Sequence, residues 1–251
     1  MRLVRPFFVF FALAAALRAE DAAALLQAAA AAEARLDPKA ALALYLKADT
    51  ARPDDSVILQ KIARQYSDLT FDLTDPVEQR RLCDQSLAYA KRAYALTPKN
   101  ADNALSLAIC YARIGFCSDT RTKIETSRLV KDYAEQALAL DPKDDFAYHV
   151  LGQWHYEVAS IGAAKRFLVK LIYGGLPAAS TGEGVKLLRR AVELAPDIPS
   201  HHAELGLALL ADGQREAGEQ ELRKAVALPR KMKYDNEALR RAREALEKLS
   251  N

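Results

Sequence analysis

The residues whose types could carry chemistry are few: four histidines and three cysteines in 251 residues. His201 and His202 are adjacent, so on a helix they point to different faces. His149 and His155 stand alone in the pattern, and His155 falls at a packing position. No His-x3-His pair and no C-x-x-C pair occurs, so no metal ligand set is expected. The sequence has no G-x-S-x-G, no H-E-x-x-H and no Walker A motif. Gly174-Gly175 and Gly182-Glu183-Gly184 lack the Lys-Ser/Thr and the preceding strand that a phosphate loop needs. No catalytic residue is therefore assigned, no cofactor or metal is expected, and the chain reads as a non-enzyme.

Attention then moves to the elements. Arg2 and Arg5 precede an apolar run, Phe7 to Leu17, followed by Arg18-Ala19-Glu20. This is the order of a secretory signal peptide, and the run is shorter than the ~20 residues that span a bilayer. Residues 1–19 are expected to be a signal peptide cleaved near Ala19, giving an exported, periplasmic or secreted protein. The chain carries 36 basic and 33 acidic residues. Arg2, Arg5 and Arg18 fall in the leader, which holds no acid, so the remainder balances. Global charge then gives no case for nucleic acid.

A repeat organises the rest. "Small, x3, bulky, x2, Ala, x4, Pro" recurs: Ala41, Tyr45, Ala48, Pro53; Ser86, Ala90, Ala93, Pro98; Val130, Ala134, Ala137, Pro142; Gly184, Leu188, Ala191, Pro196. Proline ends each second helix, since its ring and missing N–H break the helical ladder. Ten residues on comes a small residue inside a first-helix pattern: Ala63, Ala108, Gly152 and Gly206. Asp54, Asp55, Asp144 and Asp145 supply helix N-caps. A fifth unit closes with Gly218, Leu222, Ala225 and Pro229. Two antiparallel helices with small residues at their crossing describe a tetratricopeptide (TPR) unit. The fold expected is all-α: a right-handed TPR-like helical-hairpin solenoid of about five repeats over residues 20–232. Three repeats are lengthened between their two helices (A and B), around Ser67–Arg80, Gly115–Arg128 and Val158–Thr181. Residues 233–251 form a C-terminal capping helix, with Asp235 or Asn236 as its cap.

The middle repeats resemble a specific family. Ala88-Tyr89-Ala90-Lys91-Arg92-Ala93, Leu107-Ala108-Ile109-Cys110, Ala137-Leu138-Ala139-Leu140-Asp141-Pro142, Leu151-Gly152-Gln153-Trp154-His155-Tyr156 and Gly175-Leu176-Pro177 carry the likeness. They are similar to the regulator of microtubule dynamics family, from about residue 56 to the C-terminus, insertions included. The resemblance implies a helical adaptor without enzymatic activity. Its named members associate with microtubules or mitochondria in animal cells, a role not expected of an exported chain.

In a TPR stack the first helices line a concave groove. Arg64, Arg113, His149, Gln153 and Tyr156 give that groove a polar and aromatic lining suited to an extended peptide or a helix. The partner expected is thus a protein or peptide, bound in the groove. The alternative is a structural part of an envelope complex, contacting partners through the edge insertions. Cys83 and Cys117 flank the Pro98 turn at comparable distances and are the pair a disulfide would join; Cys110 reads as a small core residue. The segment Ala163 to Tyr173 is a basic amphipathic helix. It is expected to pack on the fourth repeat with its lysines solvated, membrane contact being the secondary reading.

Overall fold

The computed structural model describes residues 7–250, with side chains from Asp21 onward. Arg2 and Arg5 lie outside these residues. The expected cleavage position near Ala19 falls within α1 (Phe7–Ala34). The described residues form twelve α-helices: after α1 come α2 (Pro38–Ala51), α3 (Ser56–Leu69), α4 (Pro76–Leu96), α5 (Ala101–Phe116), α6 (Thr120–Leu140), α7 (Asp145–Ala159), α8 (Ala163–Tyr173), α9 (Thr181–Leu194), α10 (Pro199–Ala211), α11 (Arg215–Ala227) and α12 (Tyr234–Ser250). The helices pair as hairpins, α1 with α2, α3 with α4, α5 with α6, α7 with α9 and α10 with α11, and α12 closes the stack on α10 and α11. This is the five-repeat solenoid with a capping helix.

Local chemistry sets the boundaries. Each second helix stops two residues before its proline: α2 before Pro53, α4 before Pro98, α6 before Pro142, α9 before Pro196 and α11 before Pro229. Side-chain caps open seven helices. Asp37, Asp55, Asp75, Asn100, Asp119, Asp144 and Ser180 each accept a hydrogen bond from a first-turn backbone N–H, which satisfies donors the helix cannot. Asp55 and Asp144 are caps as expected; Asp54 instead takes a left-handed turn conformation, and Asp145 is the first residue of α7.

The crossings explain the small residues. A Cβ on Gly206 would lie 2.6 Å from Leu222 Cγ and 2.9 Å from the Gly218 carbonyl; one on Gly184 would meet the Gly152 carbonyl at 2.9 Å. In the fourth and fifth repeats the two backbones therefore touch directly. In the second, Ser86 takes the same role and donates to the Ala63 carbonyl at 2.7 Å across the crossing. Alanines 41, 63, 90, 93, 108, 134, 137, 191 and 225 are fully buried around these contacts.

Two of the three inserted stretches are not projecting loops. The second and third repeats use their extra residues to lengthen the second helix: α4 and α6 run 21 residues, against 14 for α2 and α9. A single 3-10 turn, Thr70–Asp72, precedes α4. Only the fourth repeat carries a separate element, α8. The cap prediction for α12 also needs correction. Tyr234 opens the helix, and Asp235 in its first turn accepts backbone hydrogen bonds from Lys231 and Met232 at 2.7 and 2.9 Å, so it holds the preceding linker.

Gly206→Ala should destabilise the fold by about 1–3 kcal/mol, because Leu222 is fully buried and cannot move aside. Gly182→Ala, in the first turn of α9, where the added Cβ would meet Ser180 Oγ at an ordinary 3.9 Å, should be neutral or stabilise by about 0.5 kcal/mol. Thermal unfolding of both variants measures the contrast, and equal melting temperatures would refute the crossing argument.

Candidate functional site

The first helices α3, α5, α7 and α10 line the concave face, and the chain's own C-terminal segment crosses it. The linker after α11 runs from repeat five back toward repeats one and two. Lys231, Met232 and Lys233 line a small cavity with Glu33, Leu36, Arg64, Gln65 and Asp68. Lys233 bonds Asp72 at 2.7 and 2.9 Å across 161 residues of sequence. Tyr234 then enters the groove, with its ring 5.8 Å from Phe71 and edge-on to His149 at 5.5 Å between centroids.

Glu204 on α10 is the hub. Its carboxylate is wholly buried. It accepts from Tyr156 at 2.5 Å, from Tyr234 at 2.7 Å and from Arg241 at 3.0 Å. Arg241 also donates to the Tyr156 hydroxyl at 2.7 Å. Burial, followed by the Glu204 charge, pushes both tyrosine hydroxyls well above their usual range. Burial alone would lower Arg241, but the Glu204 carboxylate and the other anionic partners outweigh it and hold the guanidinium charged.

The five groove residues fall as follows. Arg113 lies over the Phe71 ring, 4.1 Å from its centroid, and donates to Thr70 Oγ1 at 2.6 and 3.1 Å. His149 is buried. Gln153 donates to Glu157 at 3.0 Å and accepts from Tyr234 at 3.3 Å. Tyr156 is bound to Glu204. These four converge on the Phe71–Tyr234–Glu204 line. Arg64 sits apart at the far end, partly exposed and 3.8 Å from Asp68. Burial raises the Asp68 carboxyl to about 6, against the opposing pull of Arg64.

His149, His201 and His202 are buried, and His155 is half-buried. Asp145 contacts His201 Nε2 at 2.8 Å, and the Nδ1 atoms of His201 and His149 lie 3.0 Å apart. With Nε2–H of His201 assigned to the carboxylate, His201 Nδ1 accepts from His149 Nδ1–H, which links the two rings to Asp145. Burial, then His201 and Arg241, hold His149 well below its usual pKa. His202 bridges Glu221 at 2.6 Å and the Pro196 carbonyl at 2.9 Å. Among the described residues no group of three or more His, Cys, Asp and Glu side chains is placed to hold a metal.

All three cysteines are free thiols. Cys83 and Cys117 are neighbours, and burial together with Cys117 pushes Cys83 up to about 12. Cys110 is buried 3.1 Å from Ser86 Oγ. The residues missed from sequence are Phe71, Glu204, Lys233, Tyr234 and Arg241. Only Glu204 carried a signal, as a lone acid in the otherwise apolar run Ala203–Leu210.

Comparison with known proteins agrees with this architecture. Residues 24–250 match the family described as Regulator of microtubule dynamics protein 1-3. The chain belongs to this family. Its sequence is 29% identical over 150 residues to Regulator of microtubule dynamics protein 1 of Mus musculus, covering 59% of this chain and 48% of that one. It is 28% identical over 143 residues to protein 3 of Xenopus laevis, covering 57% and 31%. The chain thus spans under half the length of these relatives. By structure it is similar to a thermophilic TPR protein of Thermus thermophilus (TM-score 0.64, 18% identity, 90% of this chain and 99% of that one). It is also similar to pilF of Pseudomonas aeruginosa (TM-score 0.53, 12% identity, 92% and 93%). These structural likenesses establish the TPR-like fold of this family member.

His149 gives the site a pH signature. Folded, it stays neutral; unfolded, it takes a proton below about 6.5. Its contribution to stability is complete above that pH and declines on acidification by up to about 1.4 kcal/mol per unit. Asp68 acts oppositely between its ordinary value and about 6, where the folded state holds the extra proton. Urea unfolding of the parent chain and His149→Gln at pH 7.5 and 5.5 cancels the Asp68 part. The stability gap between them should narrow at the lower pH; a constant gap would contradict a neutral, buried His149.

Proposed function

We propose that this chain is a non-catalytic interaction module whose concave groove binds a peptide or helix of a partner protein. The observation that carries this reading is the segment Lys231–Arg241 lying in that groove. It supplies a lysine to Asp72, an aromatic ring to Phe71 and His149, a hydroxyl to Glu204 and a guanidinium to Glu204. A partner segment with aromatic and basic side chains at similar spacing would satisfy the same groups. The family and its TPR-like neighbours support a role in protein interaction. The relatives' names make a microtubule-related partner one candidate, resting only on the repeat region shared with them. Tyr156, Tyr234 and Arg241 are committed to Glu204, and His149 and His201 to each other and to Asp145, which supports a non-catalytic reading.

The test uses the exposed Arg64 and Asp72 with the half-buried Gln153, because His149, Tyr156 and Glu204 serve the core. Arg64→Ala with Asp72→Ala and Gln153→Ala should remove the groove's partner from crosslinked complexes recovered from the native source, at unchanged melting temperature. An unchanged set of crosslinked partners would overturn groove binding.

We further propose export of the mature chain after cleavage near Ala19. The family match begins at residue 24, beyond the apolar run, which supports a removable leader. Mass spectrometry of the native protein should find a new N-terminus close to residue 20; an intact Met1 would overturn this.

A further inference from the structure

Helix α8 presents its apolar face outward. No residue of α8 is buried. Phe167, Leu168, Leu171 and Ile172 are 66, 53, 72 and 63% exposed. At 3.6 residues per turn these four share one face, while Arg166, Val169 and Tyr173 share the opposite one. The second trio faces the solenoid and is partly buried. Arg166 donates to the Val158 carbonyl at 2.6 Å. Arg128 of α6 binds the carbonyls of Tyr173 and Gly175 at 3.0 and 2.6 Å. The site on the fourth repeat that α8 was expected to fill is taken by Leu176 and Ala179, packed on Val130, Trp154 and Val158. The helix is thus held at both ends by polar contacts, and its larger side chains meet water.

The charges around that face have one sign. Lys165 and Lys170, both exposed, flank it on either side. From Val158 to Gly182 the sequence holds no Asp or Glu. Phe116 and Val77, 67 and 77% exposed, stand at the corresponding turns of repeats three and two, so the same edge of the solenoid continues the apolar row. The acids on that edge are engaged: Glu78 with Arg81, Glu125 with Arg121, and Asp75 and Asp119 as helix caps.

We propose that α8 is a docking helix for the surface of an anionic phospholipid bilayer. Its aromatic and aliphatic side chains would enter the headgroup–acyl boundary, with Lys165 and Lys170 reaching lipid phosphates on either side. A second copy of the chain fits less well. Face-to-face pairing would set lysine against lysine, and the acid-free stretch contains no carboxylate to answer them. Eleven residues give weak, reversible attachment that depends on lipid charge. This surface is separate from the concave groove, so either assignment can fail without the other.

Vesicle flotation of the full chain tests the proposal, with phosphatidylcholine vesicles alone and with added phosphatidylserine. Residues 1–19 are present throughout, so their contribution is common to every sample. The parent chain should float with the anionic vesicles and much less with the neutral ones. Lys165→Glu/Lys170→Glu and Phe167→Ser/Leu171→Ser should each lower partitioning at least roughly tenfold. Circular dichroism should be unchanged, since all four positions are exposed. Equal flotation of the variants and the parent, equal binding to both vesicle types, or no flotation would overturn the proposal. So would a concentration-dependent dimer, or a crosslinked protein on α8, that disappears in Phe167→Ser/Leu171→Ser.

Discussion

The buried carboxylate of Glu204 is the constraint around which the C-terminal half is arranged. An ionised group without water costs several kcal/mol unless charge and hydrogen bonds replace its hydration. Here the replacement comes from two other elements, Tyr156 of α7 and Tyr234 and Arg241 of α12. None of these partners is local: they lie 48, 30 and 37 positions away in sequence. Moving α12 outward would leave Glu204 with Tyr156 as its one remaining partner among these three and take the Arg241 donor away from the Tyr156 hydroxyl. The capping helix is therefore tied to the interior of the solenoid by a desolvated charge as well as by the apolar stripe of Leu239 and Ala242.

That arrangement changes what a groove means in this molecule. An empty concave surface binds a ligand at its intrinsic affinity. Here a covalently tethered segment holds the groove at the high effective concentration of a short linker, and a partner of the kind proposed would have to displace it. Lys233–Asp72 and the Arg113–Phe71–Tyr234 stack are the weaker end of the closure, because Asp72 is exposed and the ion pair is screened. The Glu204 end is the stronger. Entry by a partner would begin at repeats one and two, near Arg64, where the linker is held only by surface contacts.

Much of this was legible in the residues. Prolines 53, 98, 142 and 196 mark helix ends because proline cannot continue a helix, and Gly152, Gly184 and Gly206 mark crossings because only hydrogen fits there. Such rules act within one or two turns and so survive in the linear order. The form of the insertions did not: spacing gives the length between two helices, but not whether α4 and α6 absorb it as added turns. Nor did the closure. Four groove residues were identified from their register on the first helices, yet their occupant lies up to 85 positions away, as Arg241 does from Tyr156. No periodicity relates those two.

Helix α8 shows the same limit in sharper form. Its amphipathic period was plain, and the ordinary inference is that an apolar face turns inward. The period fixes which residues share a face; tertiary competition decides where that face points. Leu176 and Ala179 follow two successive left-handed glycines, Gly174 and Gly175, which turn the chain back onto Trp154. Once that strap fills the space beside Val130 and Val158, no room remains for four larger side chains. The lone Arg128, bonded to carbonyls at the end of α8, then holds the helix on its polar side. An outward apolar face in contact with water is unfavourable, and the flanking Lys165 and Lys170, with no acid from Val158 to Gly182, are what favour the anionic surface proposed for it.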